Sequence, residues 1–274
     1  MTAFSRRVAA LTGVAEEKLE RLAGESLSEV LLVRRDHGQI SVAKHSPATA
    51  TEATMLRAIA AAGVPAPAVQ AEHEHLLLLD YVENDGVFSA RAWADVGVQL
   101  RRLHAHTGQS YGWPVDYAIG TVTLHNGEIA NWPRFWAERR LIATASVLDR
   151  PWRQRVERLA TRLGDLLPAD PPAALLHGDF WAGNILVRDG SLAALVDPAC
   201  YYGDAEVDLA MLDLFSPPSE EFRHAYGPLE AGWRERQPIY QLFPALAHVR
   251  LWGAGYYKMV DRLLQPFEGR QPSA

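Results

Sequence analysis

The 274-residue chain is 48% hydrophobic and 22% charged, the make-up of a folded globular protein with enough apolar material for a large core, which excludes a disordered chain. Lys and Arg number 27 against 33 Asp and Glu, a net charge of −6 with no run of five or six like charges, so no nucleic acid partner is expected. The single cysteine, Cys200, can form neither an internal disulfide nor a zinc site by itself.

Read along the chain, Ser5 to Leu22 places Val8, Leu11, Leu19 and Leu22 at helical intervals. Val30 and Leu32, a turn at Asp36–Gly38, then Ile40 and Val42 predict a β-hairpin ending near Lys44. Pro47 ends the strand, and the alanine-rich run from Thr49 to Ala62 predicts a helix stopped by Gly63. VPAPAV reads as a connector and HLLLLDY as a buried strand, too short to span a bilayer. The start of the chain shows no long apolar core before a small-residue cleavage site, so a cytoplasmic protein with no membrane partner is expected. Helices are expected over Ser89–His106, Trp132–Leu148 and Pro151–Leu167. Two apolar runs around polar turns follow, in LLHGDFWAGNILV and SLAALVDPA. Mostly helix extends from Glu206 to Leu264, interrupted at Pro217–Pro218 and Gly227–Pro228. A strand-rich first third thus gives way to a helix-rich remainder near residues 80–86.

The chemistry concentrates in HGDFWAGN, residues 177–184. Asp179 precedes Asn184 by five residues, the separation between proton acceptor and metal ligand in a kinase catalytic loop. Thirteen residues later Asp197 stands at the end of the apolar run LAALV, where a second hard oxygen could meet Mg²⁺ beside Asn184. On the bland reading Asp179 and Asp197 merely form turns and His177 packs in the core. Even on the functional one, His177 is expected to fix backbone near Asp197 rather than bind metal.

These motifs resemble the fructosamine kinases, which are related to aminoglycoside phosphotransferases and, more distantly, to protein kinases. The family's HGDLWxGN is matched by HGDFWAGN, its DPA and YGxxExDLAM by Asp197–Ala199 and Tyr202–Met211, and its LxxGWxxRxxLYQLYPLLNH by LEAGWRERQPIYQLFPALAH. The resemblance is weakest in the first 45 residues. It implies an α+β, two-lobed protein-kinase-like fold. A small antiparallel-sheet N-lobe (1–82) would cover the nucleotide, and a larger helical C-lobe (83–274) would carry the catalytic loop, metal and acceptor site. It also implies ATP and Mg²⁺ as cofactors, with Asp179 as base and Asn184 and Asp197 on the metal. Lys44 would contact the α and β phosphates, held by Glu52 in the next helix. Gly24 and Ser26 in AGESLSE would lie over the phosphates, although an ordinary hairpin turn fits that stretch nearly as well. The backbone of Asp80, Tyr81 and Val82 would hold adenine.

The implied acceptor is a ketosamine, a fructosamine or ribulosamine, free or on a protein, whose phosphorylation leads to deglycation. Trp181 is expected to pack or to line the acceptor pocket. Asp204 or Glu206 would touch the acceptor and, with Asp208, give an acidic cleft; Glu206 and Asp208 could instead brace the loop. The aromatic string FPALAHVRLWGAGYY reads as core. Departures cluster on the acceptor side: Thr123 and Leu124 stand where Pro and Gln are usual, Ala247 and Arg250 where Asn is frequent, and Ser216-Pro217-Pro218 where a glycine-rich turn is common. An aminoglycoside, choline or other small-molecule kinase therefore stays open, as does a non-catalytic nucleotide-binding scaffold. A monomer is expected.

Overall fold

The computed structural model describes residues 2–22, 28–35 and 38–268. Helix α1 (Ala3–Thr12) opens on a capping box between Thr2 and Ser5 and stops at Gly13, whose φ of 72° supplies the left-handed turn that ends helices. The helix expected to reach Leu22 is therefore shorter. Beyond Gly13 the chain makes a 3₁₀ turn (Glu16–Lys18) and enters strand β1 (Leu19–Arg21).

Strands β2 (Val30–Arg34) and β3 (Ile40–His45) form the expected hairpin, of whose turn Asp36 lies outside the described residues. Helix α2 (Thr49–Ala61) follows, then β4 (Val69–His73) and β5 (Leu76–Asp80). The sheet is antiparallel throughout, in the order β1-β2-β3-β5-β4. The run Leu76–Leu79 is apolar at every position because helices cover both faces of the sheet. Leu76 and Leu78 pack with Phe4 and Val8 of α1, while Leu77 and Leu79 pack with Ala53 and Leu56 of α2. Strand β4 begins at Val69, the last residue of the expected connector, and its remaining residues carried no strand expectation. It is an edge strand carrying Gln70, Glu72 and His73, and such polar edges discourage pairing with other chains.

The larger lobe begins with α3 (Ala90–His104), whose Val96, Leu100 and Leu103 are buried as their spacing predicts. A two-stranded hairpin follows, β6 (Tyr117–Ile119) and β7 (Val122–Leu124). The helix expected from Trp132 is a composite: α4 (Trp132–Phe135), a π-helical stretch (Trp136–Ile142) and α5 (Ala143–Ala145). The next is split into α6 (Arg150–Ala160) and α7 (Leu163–Leu166). Strands β8 (Ala174–Leu176), β9 (Ile185–Arg188), β10 (Ser191–Leu195) and β11 (Tyr201–Gly203) flank the HGDFWAGN and DPA turns. Helices α8 (Glu206–Phe215), α9 (Glu220–Tyr226), α10 (Trp233–Trp252) and α11 (Tyr257–Leu264) complete the lobe. No helix among the described residues is long and apolar enough to cross a membrane.

Candidate active site

The two polar turns are stitched together by backbone. The Val196 N–H donates to Asn184 O (3.0 Å), and the Ala199 N–H donates to His177 O (2.9 Å). Gly178 allows this closeness: its φ is +80°, and a Cβ there would lie 2.1 Å from Ala199 O. Burial lowers the pKa of His177, and the neutral ring joins the turns through Nε2–H to Val196 O (3.0 Å), while Nδ1 accepts the Asp179 N–H (3.3 Å). His177 thus fixes backbone beside Asp197, as expected.

Asp208, fully buried at the start of α8, holds the loop from below. Its two oxygens accept the N–H groups of His177 (2.7 Å) and Gly178 (2.9 Å), and His104 Nε2 lies 3.2 Å away. Asp208→Ala would leave both buried N–H groups without an acceptor. It is expected to destabilise the protein by about 3 kcal/mol or more, read in thermal unfolding, with Asp208→Asn recovering about half. A loss below about 0.5 kcal/mol would show that the loop does not depend on Asp208.

Above the loop, Asn184 Nδ2 donates to Asp179 O (2.8 Å) and Oδ2 (2.9 Å). Asp197 sits at a φ of 53°, a left-handed conformation that Asp tolerates better than most residues. Its Oδ1 accepts from Lys44 Nζ at 2.7 Å, and Nζ also meets Glu52 Oε1 at 2.6 Å. The β3 lysine is therefore a bridge between the sheet lobe and the loop lobe. Burial alone would lower the Lys44 pKa, but Asp197 and Glu52 outweigh it and hold the ammonium above the usual lysine range. Glu52, 1% exposed, takes a further hydrogen bond from Tyr117 Oη (3.4 Å). Burial, reinforced by the Asp197 charge, pushes the Asp179 carboxyl up to about 7, against the opposing pull of Asn184 and Lys44.

Lys44, Asp179, Asn184, Asp197 and Trp181 line one cavity of about 770 Å³. The Trp181 ring lies over Gly183, where a Cβ would approach its Cη2 to 2.2 Å. Gly24 and Ser26 lie outside the described residues. Asp80, Tyr81 and Val82 border a separate depression of about 600 Å³ with Pro67 and Arg188, and the Asp80 N–H is already given to Ala68 O (2.9 Å). The Asp80 N–H is therefore not spare for adenine, because the Ala68 carbonyl just ahead of β4 claims it.

The acidic cleft is not formed. Asp204 is buried, accepting from Tyr240 Oη (2.7 Å) and the Glu206 N–H (3.0 Å), and Glu206 takes a two-pronged bond from Arg236 (2.8 and 2.5 Å). Both carboxylates serve the junction between α8 and α10, so neither is placed to touch an acceptor. In their stead the cavity wall carries Tyr117, Phe215, His248, Trp252 and Tyr256; of the aromatic string read as core, Phe243, Leu246 and Val249 are core, while His248, Trp252 and Tyr256 face the cavity. The interval of four from His248 to Trp252 and on to Tyr256 was the available signal, since it puts the first two on one helix face. Tyr117 could have been found from the strand–Gly120-Thr121–strand pattern of a tight hairpin. The departures have structural partners: Ser216 Oγ accepts the Ala182 N–H (3.2 Å), Arg250 donates to Thr121 O (3.1 Å), and Leu124 is buried.

This arrangement has counterparts. A crystal structure of a candidate fructosamine-3-kinase from Thermobifida fusca superposes with a TM-score of 0.85 at 30% identity, over 96% of this chain and 97% of that one. An amicoumacin kinase solved with AMP-PNP and Ca²⁺ shares the protein-kinase-like fold at 15% identity (TM-score 0.66, over 97% and 94% of the two chains). A probable ketoamine kinase of Enterococcus faecium is 36% identical over 183 residues, 63% of this chain, and the match spans just under two thirds (66%) of that relative. The family model described as fructosamine kinase matches residues 4–267, so with the loop, the bridging lysine and the two lobes in place the chain belongs to the fructosamine kinase family.

Proposed function

We propose that this chain is an ATP-dependent phosphotransferase that phosphorylates a hydroxyl of a ketosamine, a fructosamine or ribulosamine, free or on a protein, and so leads to deglycation. The observation that carries this reading is the Lys44 bridge: a cation from one lobe held 2.7 Å from Asp197 of the other, in the cavity that also holds Asp179 and Asn184. Phosphoryl transfer needs little covalent help from a protein but much positioning and charge compensation, and these residues supply both.

The donor set fits Mg²⁺. Asn184 gives its amide N–H groups to Asp179, which leaves its oxygen for a metal, and Asp197 adds a carboxylate. Two hard oxygens leave the other positions for phosphate and water, the arrangement Mg²⁺ favours. When bound, the ion would draw negative charge from the triphosphate. Lys44 is proposed to compensate the α and β phosphates, with Glu52 fixing its ammonium. Asp179 orients the acceptor hydroxyl and takes its proton as the O–P bond forms; Asn184 keeps the carboxylate aimed. Trp181 lines the acceptor end. The backbone of Tyr81 and Val82 is proposed to hold adenine, the phosphate-covering role falls to residues 24–28, and the lobes part at 82/83. A monomer is proposed, and use of ATP fits a cytoplasmic setting.

Fructosyl-lysine, ribosyl-lysine and an aminoglycoside assayed side by side for Mg²⁺-dependent ATP consumption test the proposal. Turnover is expected with a ketosamine. Turnover of the aminoglycoside with neither ketosamine would overturn it.

A further inference from the structure

We infer that the acceptor end of the cavity is an aromatic seat for the group borne on the ketosamine's amine, selecting flat hydrophobic or aromatic amines and turning away adducts with a carboxylate beside the amine. This names the substrate class of the proposed kinase site and rests on that reading.

The cavity has two chemically distinct ends. Its carboxylates, Asp179 and Asp197, belong to the phosphate end, and its lysine, Lys44, is held by Glu52 and Asp197. The other end is a wall of rings. Phe215 stacks on His248 (centroids 4.4 Å apart, 24° between planes), and His248 packs on Tyr256 at 5.0 Å. Trp252 and Trp181 stand on the same cavity with 50% and 39% of their surface exposed, large apolar areas that a bound group would take out of water.

The polar groups of this wall are few and neutral: the His248 ring, the Tyr256 hydroxyl and the indole N–H groups of Trp181 and Trp252. His248 donates Nδ1–H to Pro244 O (2.8 Å), and burial lowers its pKa, so the ring is neutral with a lone pair on Nε2. It can accept from the acceptor's amine N–H, and the ring faces favour a protonated amine nitrogen. Among the described residues that line the cavity the one cation is Lys44, already held by Glu52 and Asp197. Arg250, on the same helix, is turned to the β6–β7 hairpin through Thr121 O (3.1 Å), and the Asp204 and Glu206 carboxylates that could have drawn a basic group are buried among Tyr240 and Arg236. Apolar contact, with a few neutral hydrogen-bonding groups beside it, is what remains.

The test compares fructose adducts of phenethylamine, methylamine and glycine on wild type and Trp252→Ala, reading kcat and KM, with tryptophan fluorescence titration in the presence of AMP-PNP as a second readout. Wild type is expected to prefer the phenethylamine adduct to the glycine adduct by about tenfold or more in kcat/KM, chiefly through KM. Trp252→Ala should cut that advantage about tenfold, the phenethylamine adduct losing far more in kcat/KM than the methylamine adduct. Equal use of the three adducts by wild type overturns the inference, as does a uniform loss in the variant. Should no ketosamine turn over while the phenethylamine adduct still quenches fluorescence more weakly in Trp252→Ala, the seat stands and the ketosamine-kinase reading falls. Neither binding nor turnover removes both.

Discussion

Asp179→Asn is expected to lower kcat by a factor of about 10²–10⁴, to leave nucleotide affinity within about threefold, and to make the ligand-free protein more stable at pH 8. The first effect follows from losing the only lone-pair geometry that both orients the acceptor hydroxyl and receives its proton. The second follows from the contacts: Lys44 is held by Glu52 and Asp197, and neither bond involves Asp179. An asparagine also keeps an oxygen facing the Asn184 amide, so the loop stays in place.

The third effect comes from the same desolvation that suits Asp179 to be a base. Its carboxyl is raised from 3.8 to about 7, so between those values the folded state binds a proton that the unfolded chain releases. The contribution to stability is complete below 3.8 and is lost as pH rises through 7. At pH 8 the buried carboxylate is ionised and costly, and asparagine removes that cost. The variant should match wild type near pH 4 and exceed it by about 1–4 kcal/mol at pH 8, measured by urea unfolding with EDTA and no nucleotide. A kcat within a few-fold of wild type would remove Asp179 from the proposed role. An unchanged difference across the pH range would show that its carboxyl is not raised.

The parts of this molecule legible in its sequence are those set by short-range pattern. Leu76–Leu79 declares a doubly covered strand because only burial on both faces accepts four consecutive leucines, although it does not say which helices do the covering. The Asp179–Asn184 spacing is legible because both residues serve one turn. The carboxylates of Asp204 and Glu206 were misread because their neighbours, Tyr240 and Arg236, lie some 30 residues further on, and nothing local distinguishes a solvent-facing acid from one tied to a later helix. The same blindness hid the aromatic wall: Phe215 and His248 meet only when α8 packs on α10. Gly13 was a stop signal in plain view, outweighed by leucines whose spacing fits a helix and a strand start equally well.

Lys44 offers a second separation of stability from activity. Lys44→Ala is expected to destabilise the protein by about 3–5 kcal/mol and to cost at least about 10² in kcat/KM for ATP. Most of the stability loss arises from what stays behind. Glu52, 1% exposed, would keep a buried charge with only the long bond from Tyr117 (3.4 Å), and Asp197 would lose its partner across the lobes. Neutralising that stranded charge should therefore restore stability without restoring chemistry. In Lys44→Met combined with Glu52→Gln, the methionine refills the space of the lysine stem and the glutamine still accepts from Tyr117. The double variant is expected to recover about 2 kcal/mol or more of the loss seen in Lys44→Met alone, by thermal unfolding, and to remain as inactive as either lysine variant. If the double variant is no more stable than Lys44→Met, the pair is not a coupled buried unit. If it turns over ATP near the wild-type rate, the lysine does not serve the phosphates, and the bridge between lobes is structural only.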